Sequence, residues 1–286
     1  MQLEQVKIET SRLTLSGLWN GISKGAPVIA LHGWLDNAAS FEPLAEYMTL
    51  DQPFYAIDLA GHGLSEHRPK ASSYHMIENV IDIAALVSAL SPSGLPVILL
   101  GHSFGGIIAA LFAAASPASI KRLVMLDSLG PMTDQASSVL PQLRKAVEKA
   151  SSFKASKLTV YPSLENAANV RTKGVGKINY SSALTLVKRG LKAVEGGLTW
   201  TSDPRLMAPS FLRLSESQLQ AIFTGIECPV SLICGDKGYF SDYESLNKRL
   251  SYIPHLEKHI VSGGHHFHME GDIPKTTAII NEFIDA

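Results

Sequence analysis

Only two cysteines, Cys228 and Cys234, occur in the 286 residues. If both lie on one strand, six steps of about 3.3 Å put them ~20 Å apart, too far for a disulfide. They therefore read as reduced core residues, which suits the cytoplasm. Long apolar runs are missing too: the longest, Ile107 to Ala115, falls far short of the roughly 20 residues that cross a bilayer, so no membrane span is expected. The opening Met1-Gln-Leu-Glu-Gln-Val-Lys carries neither a basic leader nor an apolar stretch and gives no sign of a secretory signal. An excess of charge of one sign is also absent. With 25 Lys and Arg against 26 Asp and Glu, the total points to neither nucleic acid nor an anionic membrane surface as a partner.

What is present is a globular balance, 45% hydrophobic and 18% charged, in a chain long enough for one large core and an insertion. Short apolar runs recur at Val28 to Leu31, Tyr55 to Ile57, Val97 to Leu100, Leu123 to Leu126, Val230 to Cys234 and His259 to Val261. Runs without alternation are what strands buried on both faces look like, as in a parallel sheet. Helical patterns separate them: Tyr74 to Leu90 carries Ile77, Ile81, Ala84 and Val87 at helical spacing, and Phe104 to Ala115 is apolar all round. The alternation predicts an α/β fold with a mostly parallel, doubly wound sheet. Val6 to Glu9 and Arg12 to Trp19 alternate apolar and polar residues and predict an antiparallel edge pair.

Residues 131–225 differ in character, with thirteen Lys or Arg against six Asp or Glu. They lack strand-like runs and show helix-like patterns at Val139 to Ala150 and Ser182 to Val194. This segment reads as a helical lid inserted into a core domain made of residues 1–130 and 226–286. Neither an internal repeat nor a low-complexity tract interrupts the chain.

The strongest local signal is Gly101-His102-Ser103-Phe104-Gly105-Gly106, between an apolar strand run and an apolar helix. A sharp strand-to-helix turn holds a serine in strained geometry and lifts its Oγ above the sheet edge, while glycines on either side remove colliding side chains. The helix that follows aims its first N–H groups at the same point, so the Phe104 N–H is one candidate donor to a developing oxyanion. His32-Gly33-Trp34 ends an earlier strand and offers the Trp34 N–H as the second donor. His32 and His102 are taken as structural, and Asp58-Leu-Ala-Gly61-His62-Gly63-Leu-Ser65 as a hydrogen-bonded loop.

These blocks, with Gly263-Gly264-His265-His266-Phe267-His268-Met269-Glu270 near the C-terminus, resemble the α/β-hydrolase superfamily in order and spacing. Arg171, Lys188-Arg189-Gly190, Gly197-Leu-Thr-Trp200 and Thr201-Ser-Asp203-Pro-Arg205-Leu206, followed by Pro209-Ser210, resemble its serine hydrolase-like branch. The resemblance implies a Ser-acid-His triad, an oxyanion hole and a lid-covered pocket. Ser103 is then the nucleophile and His265 its general base, with His266 in reserve. The superfamily's usual acid position holds Gly238 here. Asp127, at the end of the Leu123 to Leu126 strand, is the assigned acid because it lies on the same sheet edge and keeps the order Ser, Asp, His. Asp236 is the alternative, its other role being to brace a loop.

The expected activity is cleavage of a small to medium carboxylic ester through an acyl-enzyme. Thioesters, lactones and carbon–carbon bonds of diketones stay open, as does a non-catalytic ligand-binding protein. Three histidines within four residues also raise a metal site, disfavoured because adjacent histidines rarely converge on one ion. Nothing requires a metal or an organic cofactor. The lid cations read as solvated helix faces, the alternative being that Arg171 or Arg189 meets an anionic substrate. Trp200 and Phe211 either line an acyl pocket or pack the lid.

Overall fold

The structure is a computed structural model that describes residues 1–151, 159–240 and 248–286. Its strands are β1 (Glu4–Glu9), β2 (Thr14–Trp19), β3 (Val28–Leu31), β4 (Phe54–Ile57), β5 (Val97–His102), β6 (Ile120–Leu126), β7 (Leu191–Val194), β8 (Gly197–Trp200), β9 (Val230–Lys237) and β10 (Leu256–Gly264). Its helices are α1 (Glu42–Tyr47), α2 (Met76–Leu90), α3 (Phe104–Ala115), α4 (Val139–Ser151), α5 (Leu164–Arg171), α6 (Tyr180–Gly190), α7 (Glu216–Phe223), α8 (Phe267–Glu270) and α9 (Ile273–Asp285).

Eight strands form one sheet in the order β1-β2-β4-β3-β5-β6-β9-β10. β1–β2 and β2–β4 pair antiparallel, and every pairing from β4 through β3 to β10 is parallel. The unalternating apolar runs are explained by the two cores. Ile29, Leu31, Leu99, Leu123 and Met125 face one hydrophobic layer, while Val28, Ala30, Ile98, Leu100, Val124 and Leu126 face the other. Helices α2, α3 and α7 cover the first layer; α1 and α9 cover the second.

Register decides where chemistry can gather. Leu31 pairs with Gly101 and His102 with Leu126, so β3, β5 and β6 end level with one another, while β9 runs on past Ile233, the partner of Leu126. The residues that follow them, including His32 to Trp34, Ser103 and Asp127, emerge at one carboxyl edge, where open α/β sheets bind ligands.

Two local expectations fail for identifiable reasons. In α2 the exposed side chains include Ile77 and Ile81, while the buried face carries Asn79, Asp82, Ile83, Leu86 and Val87. Asp82 is buried because Arg12 and Arg68 both pair with it, so an ion pair overrides the apolar stripe. Second, the helix from Ser182 ends at Gly190, and Leu191–Val194 pairs with Gly197–Trp200 as a hairpin. A side chain at Gly190 would meet the Trp200 ring at 3.0 Å and Asn37 Nδ2 at 3.1 Å. Gly196 and Gly197 turn the hairpin with φ of +80s and beyond, at +84° and +148°, which a side-chain-bearing residue rarely adopts. Tyr161, Ala167, Ala168, Ala183, Leu186 and Val187 give this part of the chain a small core of its own, with Met269 packed into it. Among the described residues no helix is long and apolar enough to cross a membrane.

Candidate active site

Ser103 sits between β5 and α3 with φ +49°, a conformation that costs a non-glycine residue energy. Clearance makes the turn possible. A Cβ at Gly101 would lie 2.4 Å from the Gly106 backbone, and one at Gly105 would lie 2.0 Å from the Leu31 carbonyl oxygen. The Ser103 carbonyl accepts from Ser128 Oγ at 2.7 Å and from the Ile107 N–H at 3.1 Å, which fixes the turn from the β6 side. The Ser103 side chain does not cap α3. Phe104 opens that helix, so its N–H has no intrahelical acceptor.

His265 follows β10 directly, and its Nδ1–H donates to Asp127 Oδ2 at 2.6 Å. A carboxylate only accepts, so the ring proton belongs on Nδ1 and Nε2 carries the lone pair that a general base needs. The Tyr239 ring stacks on the imidazole at 3.9 Å between centroids. From the other direction, His102, the neighbour of Ser103, donates its Nε2–H to the His265 carbonyl at 3.0 Å. The histidine is thus fastened to the strand that carries the serine.

Asp127 is fully buried and has φ +42°. Besides His265 it accepts from the Tyr239 N–H at 2.9 Å and, more distantly, from the Gly235 N–H at 3.4 Å. A Cβ at Gly238 would lie 2.3 Å from Asp127 Oδ1. The position that holds the acid in the superfamily's usual pattern is therefore the space that the Asp127 carboxylate fills. Asp236 is exposed and accepts from the Gly263 N–H at 2.8 Å, joining the ends of β9 and β10.

The other histidines point elsewhere. His266 is buried and pairs through Nε2 with Asp36 Oδ2 at 3.0 Å; His268 packs against Phe41 and His102. The rings of His265, His266 and His268 all pack against His102, with centroids 4.1 to 4.8 Å away, but among the described residues these three do not bring their ligand atoms together as a metal-binding group. Asp36, His102 and His266 do bring ligand atoms within 4.8 Å of one another. Arg171 already holds the same Asp36 carboxylate at 2.8 Å, and that cation opposes a second one. Burial alone would raise the Asp36 carboxyl, but the charges and hydrogen bonds of His266 and Arg171 hold it well below the usual carboxylate range. Burial pushes His102 and His268 well below the ordinary histidine value, with the neighbouring imidazoles adding to the effect.

His32 accepts the Leu59 N–H on Nε2, and its Nδ1–H donates to the Gly33 carbonyl. Asp58 takes the Ala38 and Leu64 N–H groups, while His62 Nδ1–H donates to the Ala60 carbonyl. The two cations considered for an anionic substrate are committed in pairs: Arg171 to Asp36, and Arg189 to Asp58 at 2.7 to 3.0 Å. Arg171 and Arg189 are nearly buried, so the reading of them as solvated helix faces fails. Sequence reasoning missed these pairs and Tyr239. Asp36, two residues after Trp34, and Asp58, at a strand end, were the available signals.

Trp34 and Phe104 line one cavity of about 420 Å³, together with Ile107, Met132, Leu206, Leu212 and Arg213 among others. The Trp34 indole N–H donates to the Leu206 carbonyl at 3.3 Å. Trp200 lies away from this wall, edge-on to Tyr161 and donating to its hydroxyl at 3.2 Å, and Phe211 is not in the wall either.

Known proteins resemble this chain along most of its length. The sequence profile of the alpha/beta hydrolase fold family matches residues 26–272. Human serine hydrolase-like protein 2 is 30% identical over 255 residues, covering 84% of this chain and 80% of its own. A zebrafish (Danio rerio) serine hydrolase-like protein is 27% identical over 92% of this chain and 83% of its own. The crystal structure of a hypothetical protein from Pseudomonas aeruginosa PAO1 superimposes with a TM-score of 0.90 at 35% identity, over 98% of each chain.

Proposed function

The chain belongs to the α/β-hydrolase fold family, and from that premise we propose that it is a serine hydrolase that cleaves a small to medium carboxylic ester, or a related thioester or lactone. Ser103 Oγ attacks the carbonyl carbon while its proton passes to His265 Nε2. Asp127 holds the Nδ1–H tautomer and stabilises the imidazolium without taking the proton itself. The backbone N–H groups of Trp34 and Phe104 receive the charge that develops on the carbonyl oxygen. Collapse expels the alcohol, which takes the proton from His265. A water molecule, deprotonated by the same imidazole, then releases the acid and restores Ser103.

The observation that carries this reading is the 2.6 Å bond from His265 to Asp127, set beside the clearance that Gly238 leaves for that carboxylate. The alignment of the β3, β5 and β6 ends supports the rest. Residues 131–225 serve as a cap, tied to residues 1–130 by the buried pairs of Arg171 with Asp36 and Arg189 with Asp58. The buried, free thiols of Cys228 and Cys234, which burial pushes up to about 11 and about 12, suit a reducing, cytoplasmic setting.

Turnover of p-nitrophenyl esters of increasing acyl length, without added metal, tests the reading. Loss of turnover in Ser103→Ala, a fall of about 10³- to 10⁴-fold in Asp127→Asn and little change in Asp236→Asn are expected. Absence of turnover by the unaltered protein on every ester and thioester would overturn it in favour of a ligand-binding role.

A further inference from the structure

Deepening the hydrolase reading, on which it rests, we infer that the substrate carries an anion at the far end of an apolar segment, and that Arg213 binds it. The cavity lined by Trp34 and by Phe104, the residue after Ser103 in the chain, is walled mainly by apolar side chains, Ile107, Met132, Leu206 and Leu212 among them. Its remaining titratable residues are uncharged at neutral pH. Burial pushes the His62 imidazole down to about 3 and the Tyr74 phenol up. Arg213 is thus the sole full charge on that wall among the described residues.

Its partner is a poor one. Arg213 Nη1 stands 4.0 Å from Asp134 Oδ2, beyond hydrogen-bond range, and its side chain is 37% exposed. The other cap arginines near the core are held much more closely: Arg171 by Asp36 at 2.8 Å, Arg189 by Asp58 at 2.7 Å and Arg205 by Asp203 at 2.6 Å. A guanidinium presents planar, paired donors that match a carboxylate. A neutral chain that filled the cavity to its rim would cover those donors without bonding them, whereas a chain ending in a carboxylate would satisfy them. Of the cap arginines near the core, Arg171, Arg189 and Arg205 are thus held by carboxylates, and Arg213 is the one left to act on substrate choice.

The test compares p-nitrophenyl hydrogen esters of succinate, adipate and suberate with their neutral, methyl-capped counterparts, reading p-nitrophenolate release. The unaltered protein is expected to favour the best anionic ester by roughly tenfold in kcat/KM, the effect of one charge-assisted hydrogen bond. Arg213→Gln is expected to bring that ratio close to one. Arg144→Gln, which removes an exposed cation of α4 outside the cavity wall, is expected to keep it. Equal use of both ester types by the unaltered protein, or a preference that survives Arg213→Gln, overturns the inference and leaves the hydrolase reading standing. If no ester of either type is cleaved, the hydrolase reading fails, and calorimetric binding of adipate monomethyl ester decides the anion site separately. Binding weakened about tenfold by Arg213→Gln supports it; binding that is absent or unchanged overturns it.

Discussion

Gly238 and Asp127 occupy one volume between them: a methyl group on residue 238 would stand 2.3 Å from the carboxylate. Gly238→Ala is therefore expected to push Asp127 off His265 and lower kcat by tenfold or more, while the melting temperature, read in parallel, shows that the chain still folds. A kcat equal to that of the unaltered protein would mean that the carboxylate's position does not matter. At this scale the sequence was informative about Ser103 and His265, because glycines on both sides of a strand end leave a local mark. Gly238 in the usual acid position hints at displacement, and the run of Leu123 to Leu126 into Asp127 points to the carboxylate that bonds His265. The 3.9 Å stacking of Tyr239 on His265 left no such mark, since it depends on how the loop after β9 folds back.

At the scale of elements, α6 ends in a charge pair. Arg189 reaches Asp58 at the end of β4 with three contacts of 2.7 to 3.0 Å, both side chains nearly out of solvent. Removing one partner leaves the other buried and uncompensated, so Arg189→Met is expected to cost about 3–5 kcal/mol of unfolding free energy, measured by urea denaturation. A loss under about 1 kcal/mol would place the pair among exposed bridges of little worth. The parallel strands were legible because burial on both faces leaves unbroken apolar runs. The hairpin β7–β8 was not: Leu191–Val194 continues the helical pattern of α6, and only Gly190 and the Gly196-Gly197 turn interrupt it. The polar face of α2 was hidden for a similar reason, since Asp82 is buried by arginines that precede the helix in the sequence.

For the molecule as a whole, the four imidazoles of His32, His62, His102 and His268 are buried and held below the ordinary histidine value, each chiefly by loss of solvation. Unfolding frees them to bind protons near pH 6.5, so the unfolded state holds more protons below that value. Stability is thus full above about pH 6.5 and is expected to fall as pH drops, by up to roughly 1.4 kcal/mol per pH unit for each group. Asp36, whose carboxyl is depressed, adds a further loss below about pH 4, where its unfolded form becomes protonated. Urea midpoints that stay level from pH 8 to 5 would contradict this. The eight-stranded sheet brings Ser103 and Asp127 to its carboxyl edge, and the most direct check of the proposed chemistry is which serine reacts and which carboxylate activates it. A fluorophosphonate probe, followed by mass spectrometry of the labelled peptide and by labelling rates in Asp127→Asn and Asp236→Asn, answers both. The account expects stoichiometric labelling at Ser103, greatly slowed by Asp127→Asn and nearly unaffected by Asp236→Asn; labelling at another residue, or a rate that depends on Asp236 in place of Asp127, would contradict it.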